Sequence, residues 1–358
     1  MKGVVTSAVS TRLLASRTLN QLRCWTSYAL SLFGVVRVRH LPTFVSVEPA
    51  NFCQLRCPEC PVGMGNKEQG TKSKDSSVSN HPGRTSRLIS LEVFGKILQQ
   101  VQASAHTMQF YFQGEPLLNK QLPEMIAAAH KVGLYTIVST NAQALNRSMA
   151  EALVRSGLSR VIVSIDGFSE ESYAAYRVGG SLHKALEGLQ HLANAKAEYH
   201  SRIRIELQVL RLKSNEHEWD WIKRNYKKLG ATHLVFKTAQ LYDFEHGHPL
   251  MPTDERYSRY RKTADGTYIH KSSPLHSTPY TLHRAVGALC LRLWSGCVVT
   301  TNGDVLPCCY DKDHRHTYGN ITQQSLTELY HSTKANALRR RVLLYQGEPL
   351  EMCKNCNQ

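Results

Sequence analysis

The sequence predicts an α/β fold, namely a partial (β/α)6 barrel followed by a small cysteine-rich domain. Six short apolar runs between residues 44 and 240 alternate with stretches of helical periodicity. Such runs are typical of parallel strands that are buried on both faces. Polar side chains stand where the runs end, which is where a barrel carries its chemistry. A doubly wound sheet is the alternative arrangement of the same units.

The composition indicates a globular protein with a basic surface. The 358 residues are 42% hydrophobic and carry a formal charge of +16. This charge favours anionic partners such as nucleotides, acidic peptides, nucleic acid or a membrane surface, although it says little about fold. Of ten cysteines, three lie at 53–60, six lie at 290–356, and Cys24 stands alone. Two such clusters predict metal sites in a reducing compartment, so we expect a cytoplasmic protein.

Residues 1–43 form a basic N-terminal extension, and the first acidic residue is Glu48. This composition fits a transit peptide or a basic amphipathic helix on a membrane surface. The apolar stretch 28–36 is too short to span a bilayer. The plainer interpretation is a helix packed on the barrel, with a set of apolar side chains turned inward: Leu13, Leu14, Leu19, Leu22, Trp25 and Leu32.

The barrel units follow in order from residue 44. The predicted strands are 44–50, 108–116, 134–141, 160–167, 203–210 and 233–240. Helical spacing is found at 90–102, near 120–132, near 146–157, from the end of the run 160–167 to about 199, and near 216–229. Residues 65–88 are polar with Gly, Ser and Pro, which predicts a loop.

The polar residues at the strand ends are the candidate site residues. They are Cys53, Cys57 and Cys60 after the first strand, Gly114 and Glu115 after the second, and Ser139, Asn141, Ser164 and Asp166 at the ends of the third and fourth. Gln208, Arg211 and Lys237 on the last two strands are candidates for lining a substrate pocket, with structural packing or a SAM contact as the alternatives.

The tail predicts a small unit held by metal. Residues 241–289 have no clear periodicity and are interpreted as a connecting segment. Residues 297–309 are two β-type runs joined by Asn302-Gly303, a strong hairpin signal. A helix is predicted at 325–346, and the chain ends in a CxxC at 353–356. A domain of this size, 290–358, gains from a metal staple.

The spacing CxxxCxxC at residues 53–60 supplies three thiolates in one loop. Three is one short of the four that close an iron–sulfur cluster or a zinc site. A cluster held by three cysteines therefore leaves one iron open to another ligand, although a zinc ion with a remote fourth ligand remains an alternative.

The sequence resembles the radical SAM superfamily over residues 44 to about 240. The resemblance is carried by "CQLRCPEC" (53–60), "GEP" (114–116), "STN" (139–141) and "SIDG" (164–167). It implies a [4Fe–4S] cluster on Cys53, Cys57 and Cys60 that binds S-adenosylmethionine (SAM) at its open iron. The reduced cluster of this family cleaves SAM to a 5′-deoxyadenosyl radical, which abstracts a hydrogen atom from the substrate.

The same resemblance implies a set of SAM contacts. Gly114 and Glu115 match the motif that holds the amino group, and Ser139, Asn141 and Ser164 would lie near the ribose or the carboxylate. Arg177 would pair with the carboxylate, since a guanidinium binds that group through two hydrogen bonds. Glu59 is a departure, because many members carry an aromatic residue just before the third cysteine to cover the adenine.

The tail resembles the twitch domain, a shortened relative of the SPASM domain. This likeness implies one auxiliary [4Fe–4S] cluster on Cys290, Cys308, Cys353 and Cys356, with Cys309 as an alternative to Cys308. A zinc ion in the same four ligands is the other possibility. A closed cluster near the active site can accept an electron from a substrate radical, brace the domain or help to bind substrate.

The leading hypothesis is therefore a radical SAM enzyme that oxidises or modifies a peptide or a small polar molecule. It would receive electrons from a reductase or from a flavodoxin- or ferredoxin-type donor. The alternatives are a non-catalytic scaffold or nucleic-acid-binding protein stabilised by metal, and a radical enzyme acting on RNA. Nucleic acid is the less expected partner, because the chain carries no RNA-binding module motif.

Overall fold

The computed structural model describes residues 6–68, 87–271, 290–343, 350–354 and 356. All six predicted barrel strands are present and lie side by side in parallel, in the order β1 to β6. The strands are β1 Phe44–Val47, β2 Thr107–Phe110, β3 Tyr135–Thr140, β4 Arg160–Ser164, β5 Arg204–Arg211 and β6 His233–Thr238. The partial (β/α)6 barrel predicted from the sequence is confirmed.

Helices connect the strands as the periodicity predicts. They are α2 Pro61–Glu68, α3 Leu91–Val101, α4 Leu122–Lys131, α5 Arg147–Arg155, α6 Glu170–Tyr176, α7 Leu182–Glu198 and α8 Trp219–Asn225. Four of them begin where a side-chain oxygen accepts a hydrogen bond from a free N–H of the first turn, and these N-caps are Ser90, Asn146, Ser169 and Ser181.

Alternate residues of each strand face the helices or the barrel interior. Val161 and Val163 on β4 and Leu207 on β5 are fully buried in the core between sheet and helices. The alternate positions, such as Ser164 on β4 and Glu206 on β5, face the interior. The strands are therefore mostly apolar in sequence, and their polar residues lie on the inner face, where the candidate site is.

The cysteine-rich tail extends the barrel sheet. Strand β9 (Gly296–Val299) pairs in parallel with β1, with Val45 opposite Cys297. It turns through the predicted Asn302-Gly303 hairpin into β10 (Asp304–Leu306), followed by β11 (Gly319–Asn320). The sheet therefore has nine strands, in the order β11-β10-β9-β1-β2-β3-β4-β5-β6.

The other elements of the tail are helices. A short helix α9 (Leu291–Ser295) follows Cys290. The predicted helix 325–346 is two helices, α10 (Leu326–His331) and α11 (Thr333–Leu343), because Ser332 leaves the helical conformation. The last helix, α12, covers Glu351–Lys354.

The connecting segment contains more structure than its composition suggests. Glu255–Tyr257 form a 3-10 turn, and β7 (Tyr260–Lys262) pairs antiparallel with β8 (Tyr268–His270). Residues 272–289 lie outside the described residues. The predicted loop 65–88 begins instead as the end of α2, and its residues 69–86 also lie outside the described part of the chain.

The N-terminal extension is a long helix, α1 (Thr6–Ser31), but the orientation predicted for it is wrong. Leu13 is half-buried, whereas the other apolar residues expected to face inward are exposed: Leu14, Leu19, Leu22, Trp25 and Leu32. Polar residues of α1 face the barrel instead, because backbone carbonyls of the barrel accept hydrogen bonds from their side chains. Among the described residues, no helix has the length and apolar character needed to cross a membrane.

Candidate functional site

The loop between β1 and α2 carries Cys53, Cys57 and Cys60 at the carboxyl edge of the sheet. The thiols lie close enough that the charge of Cys60 affects the pKa of both other cysteines. Gly63 lets α2 pack on this loop, because a Cβ there would lie 2.4 Å from the Cys57 carbonyl oxygen. The three predicted cluster ligands are therefore brought together by one loop.

Hydrogen-bond donors point at these sulfur atoms. The Leu55 N–H and the Asn141 side-chain amide each lie 3.4 Å from Cys53 Sγ. The Arg177 guanidinium lies 3.9 Å from Cys57 Sγ. Donors of this kind stabilise a thiolate, which is the form of cysteine that binds metal.

Burial dominates the pKa values of the thiols in this loop. Burial and the nearby Glu115 carboxylate together raise the pKa of Cys53 to about 12. Burial also raises the pKa of Cys57, against the opposing effect of Arg177. Metal binding at this loop must therefore displace protons.

The chemistry of the donor set suits an iron–sulfur cluster, because cysteine thiolates are the ligands that hold such clusters. Among the residues that the structure describes, no group of three His, Cys, Asp or Glu side chains is placed to hold a single metal ion. The assignment of Cys53, Cys57 and Cys60 to a [4Fe–4S] cluster stays a prediction.

Gly114 and Glu115 hold the cluster loop against the end of β2. The Glu115 N–H donates to the Phe52 carbonyl at 2.8 Å. Gly114 has a φ of +72°, and a Cβ there would lie 2.4 Å from the Ala50 carbonyl oxygen. Only glycine fits this position, because both the conformation and the contact exclude a side chain.

The Glu115 carboxylate connects β2 to the end of β3. It accepts hydrogen bonds from the Thr140 hydroxyl at 2.6 Å, the Asn141 N–H at 2.8 Å and the Leu117 N–H at 3.1 Å. Burial raises its pKa, and these donors oppose that rise. These contacts position Asn141. The SAM contact predicted for Gly114 and Glu115 stays a prediction.

Asn141 lies between the two motifs. Its side-chain oxygen accepts from Gln54 Nε2 at 3.2 Å, and its amide reaches Cys53. The next residue, Ala142, has a φ of +62°, a left-handed conformation that is uncommon outside glycine and often occurs at functional sites. Ser139 is half-buried two residues before Asn141, at the same end of β3.

Asp166 and Arg177 form a buried ion pair beside the cluster loop. Arg177 Nε and Nη2 each lie 2.6 Å from Asp166 Oδ2. The Leu210 N–H donates to the other oxygen at 2.6 Å. Burial alone would lower the pKa of Arg177, but Asp166 and Cys57 outweigh it and raise that pKa. The predicted SAM-carboxylate residue is thus held by a carboxylate of the protein itself.

Polar groups line the barrel interior below this edge. Gln208 Nε2 lies 3.5 Å from the Ser164 hydroxyl. Deeper, the fully buried Glu206 carboxylate accepts from Arg160 Nη2 at 2.5 Å. Lys237 is exposed to the interior space, where burial and neighbouring cations lower its pKa.

Arg211 is placed away from this interior. Its guanidinium packs 4.0 Å from the centre of the Tyr257 ring and 5.2 Å from that of Trp219. It shares the helix-facing side of β5 with Val209, since strand residues alternate between faces. Of the roles left open for Arg211, the structure supports packing, because the side chain points away from the pocket.

Glu59 has a role that the sequence did not reveal. Its carboxylate accepts from the Tyr242 N–H at 2.8 Å and lies 3.3 Å from His248 Nε2. These contacts bring the segment after β6 over the cluster loop. Burial and the charge of the nearby Cys60 together raise the pKa of Tyr242 to about 12. An aromatic ring is thus present near the third cysteine, supplied from a distant part of the chain that sequence spacing cannot identify.

The cysteines of the tail form a second group. The charge of Cys356 acts on the pKa values of both Cys290 and Cys353, and that of Cys290 acts on Cys308. The four residues predicted to hold the auxiliary cluster are therefore neighbours. The Tyr310 N–H lies 3.4 Å from Cys308 Sγ, again a donor to sulfur.

The other cysteines of the tail and the N-terminus have different surroundings. Cys309 Sγ lies 3.3 Å from Arg292 Nη1, and Cys308 and Arg292 together lower its pKa. Cys297 is fully buried on the helix-facing side of β9, where burial raises its pKa to about 12. Cys24 is fully buried on the barrel-facing side of α1, with its Sγ 3.7 Å from the Trp294 carbonyl.

Side chains connect the two groups of cysteines. Gln113, next to the Gly114 turn, donates to the Lys312 carbonyl at 2.8 Å. Asn51, just before Cys53, donates to the Thr301 hydroxyl at 3.3 Å. Both contacts fix the tail relative to the barrel motifs.

Comparison with known proteins identifies this arrangement. The sequence model described as "Radical SAM superfamily" matches residues 47–204. A second model, described as an iron–sulfur cluster-binding domain and named SPASM, matches residues 290–357. The chain belongs to the radical SAM superfamily. Within that family it is a radical SAM enzyme with a C-terminal SPASM domain, so iron–sulfur clusters and SAM binding are implied.

Two curated proteins are similar in sequence. A PqqA peptide cyclase from Rhizobium meliloti is 25% identical over 330 residues, which cover 88% of this chain and 80% of that protein. An Fe-coproporphyrin III synthase from Methanosarcina barkeri is 28% identical over 159 residues, or 44% of this chain. That match spans only 36% of the Methanosarcina protein.

Solved structures support the fold. The crystal structure of Streptococcus suis SuiB bound to S-adenosylmethionine superposes with a TM-score of 0.59 at 13% identity. The match covers 84% of this chain and 68% of SuiB. At this identity the likeness extends to the fold alone.

Proposed function

We propose that this radical SAM enzyme cleaves SAM reductively and uses the resulting 5′-deoxyadenosyl radical to abstract a hydrogen atom from its substrate. The observation that carries the proposal is the CxxxCxxC loop at the carboxyl edge of the barrel, whose sulfur atoms receive donors from Leu55, Asn141 and Arg177. A [4Fe–4S] cluster bound there supplies the electron for cleavage of SAM.

The surrounding residues are proposed to bind SAM. Gly114 and Glu115 position the end of β3 beside the cluster, and Ser139, Asn141 and Ser164 face the same space. Asp166 holds Nε and Nη2 of Arg177, and the Nη1 group, which lies 3.9 Å from Cys57 Sγ, is proposed to reach the SAM carboxylate beside the cluster. Tyr242, 44% exposed near Cys60, is proposed to cover the adenine in place of the aromatic residue that Glu59 replaces.

We assign an auxiliary [4Fe–4S] cluster to Cys290, Cys308, Cys353 and Cys356. Cys309 stays the alternative to Cys308, because its contact with the Arg292 guanidinium would also stabilise a thiolate. An auxiliary cluster held there would supply a one-electron acceptor near the substrate, and the reaction would then be an oxidation in which the substrate loses one hydrogen atom to the radical and a further electron and proton. The electrons for SAM cleavage would come from a flavodoxin- or ferredoxin-type donor, and the compartment is proposed to be the cytoplasm.

A peptide is the proposed substrate. The relative that covers most of the chain is a PqqA peptide cyclase, and SuiB has also been solved bound to its precursor peptide SuiA. Lys237 stands in the interior near the Glu206 carboxylate and the guanidinium groups of Arg160, Arg259 and Arg292. Glu206 is paired with Arg160, so the remaining excess of positive charge favours an acidic side chain on the substrate. Tighter binding of glutamate-rich than of lysine-rich peptides, reduced in Lys237→Met, would support this preference, and equal binding would refute it.

The decisive experiment counts iron and measures SAM cleavage. Anaerobic reconstitution with iron and sulfide is expected to give about eight irons per chain and reductant-dependent 5′-deoxyadenosine. Replacing Cys53, Cys57 and Cys60 by Ala is expected to leave about four irons and no cleavage. The control is Cys297→Ala, which removes a buried thiol that belongs to neither predicted ligand set and should retain all the iron.

The outcomes separate the alternatives. Zinc at both sites with no SAM cleavage would leave a metal-stabilised scaffold as the interpretation. Cleavage with zinc in the tail would retain the radical enzyme and reject the auxiliary cluster. Cleavage that is stimulated by RNA and not by peptides would reject the peptide substrate.

A further inference from the structure

Helix α1 has its polar side against the protein and its apolar side outward. The buried positions recur every three or four residues, which places them on one face of the helix. They are Arg17, Asn20, Cys24, Ser27 and Ser31. Helices on globular proteins normally bury the apolar face, so this arrangement is reversed.

Specific polar contacts fix this orientation. The Arg17 guanidinium donates to the carbonyls of Gln102, Val132 and Gly133 at 2.6–2.9 Å, at the ends of α3 and α4. The Asn20 side chain exchanges two hydrogen bonds of 2.9 Å with the backbone of Leu41. Such bonds require one rotation of the helix, since every other rotation would bury polar groups without these partners.

The opposite side of the helix and the turn after it form an exposed apolar face. Leu22 is 59% exposed, Trp25 49% and Phe33 84%. The remaining exposed members of this apolar face are Leu14, Leu19, Leu30, Leu32 and Val35. Clusters of large exposed apolar side chains mark an interaction site, whereas single ones need no explanation.

The charges around the apolar face indicate its partner. Arg12 and Arg23 are exposed on α1, and Arg37 and Arg39 are exposed in the segment that follows it. No acidic residue occurs before Glu48. A helix with Trp, Phe and Leu on one side and basic residues at its margins is typical of segments that lie in the interface of an anionic bilayer.

We propose that the apolar face of α1 binds the surface of a membrane containing anionic lipids. The helix would lie between the barrel and the lipid, with its hydrogen bonds to the barrel unchanged. Trp25 and Phe33 would enter the interface, and the arginines would contact lipid phosphates. This inference does not depend on the proposed reaction, because α1 contributes no residue to either group of cysteines.

The test uses the full-length reconstituted protein and lipid vesicles. One set of vesicles is phosphatidylcholine alone, and the other contains about 30% phosphatidylglycerol. Binding is measured by co-sedimentation and by quenching of tryptophan fluorescence with brominated lipid. We expect binding to the anionic vesicles that falls at least tenfold when salt is raised from about 0.1 M to 0.5 M.

Three variants make the result specific. Leu22→Ser with Trp25→Ser should lower binding at least tenfold and remove most of the quenching. Arg12→Glu with Arg23→Glu should lower binding to anionic vesicles only. The control Trp221→Ser changes a tryptophan that is 44% exposed on α8, outside the apolar face, and should bind like the wild type.

Some outcomes would overturn the proposal. One is equal sedimentation with and without vesicles; another is an equal loss of binding in the Trp221 control. Concentration-dependent self-association without lipid, abolished by the Leu22 and Trp25 changes, would assign the apolar face to a second copy of the chain. SAM cleavage measured in the same samples reports on the proposed reaction separately, so failure of one proposal does not imply failure of the other.

Discussion

Replacing Gly114 by Ala tests whether the turn after β2 positions the cluster loop. An L-residue at a φ of +72° costs roughly 1–2 kcal/mol in backbone strain. The new Cβ would also lie 2.4 Å from the Ala50 carbonyl oxygen and 2.7 Å from the Phe52 N and O atoms. Such overpacking typically costs about 1–3 kcal/mol, so we expect a total loss of about 2–5 kcal/mol.

The matched control is Gly266→Ala in the turn between β7 and β8. Gly266 has a φ of +89°, but a Cβ there would have no heavy atom within 4 Å. The control therefore carries the strain of roughly 1–2 kcal/mol without the overlap. The difference between the two variants measures the contact between Gly114 and the cluster loop.

The assay is the free energy of unfolding of the iron-free chain in urea, followed by an iron count after reconstitution. Gly114→Ala should lose more stability than the control, and its iron should fall from about eight towards four per chain. The control should keep its iron. Equal destabilisation of the two variants, or full iron in Gly114→Ala, would refute this account of the turn.

Three further predictions concern other contacts of the site and of α1. Arg177→Met should lower the free energy of unfolding in urea by about 3–5 kcal/mol, because it leaves the buried Asp166 carboxylate without its cationic partner. The control Arg147→Met breaks an exposed ion pair and should leave the free energy of unfolding unchanged. The pKa of His40 falls from 6.5 to about 4 in the folded state because the ring is buried. The folded chain therefore binds fewer protons than the unfolded chain between those values, so His40 should lower stability by about 2 kcal/mol between pH 7.5 and pH 5. His40→Gln should lack this part of the pH dependence, and an unchanged slope would contradict the assignment. Tyr242→Ala should raise the Kd for SAM about tenfold in equilibrium dialysis if the ring covers the adenine, because stacking contributes about 1–2 kcal/mol. Tyr242→Phe keeps the ring and should bind SAM like the wild type. An unchanged Kd in Tyr242→Ala would exclude the contact.

The order and type of the barrel elements could be predicted from the sequence because each strand is short, apolar and followed by a polar residue with a role. The cysteine spacing at 53–60 also identified its loop without any structure, since one local segment carries all three thiols. The ligand set of the second group stays a prediction that rests on its spacing. The sequence left open whether Arg211 lines the pocket or packs on a helix, because a shift of one residue along a strand changes the side on which a residue lies.

The sequence by itself determined the family, the barrel and the cysteines of the two candidate clusters, because these depend on local patterns and spacings. Only the tertiary structure decided the contacts between distant segments. Glu59 contacts Tyr242 at the start of the connecting segment, and Arg177 pairs with Asp166 beside the cluster loop. The structure also reversed the expected orientation of α1, because the carbonyls that Arg17 binds become neighbours only when the chain has folded. Hydrophobic periodicity identifies a helix and its faces, but the groups on the opposing surface determine which face is buried.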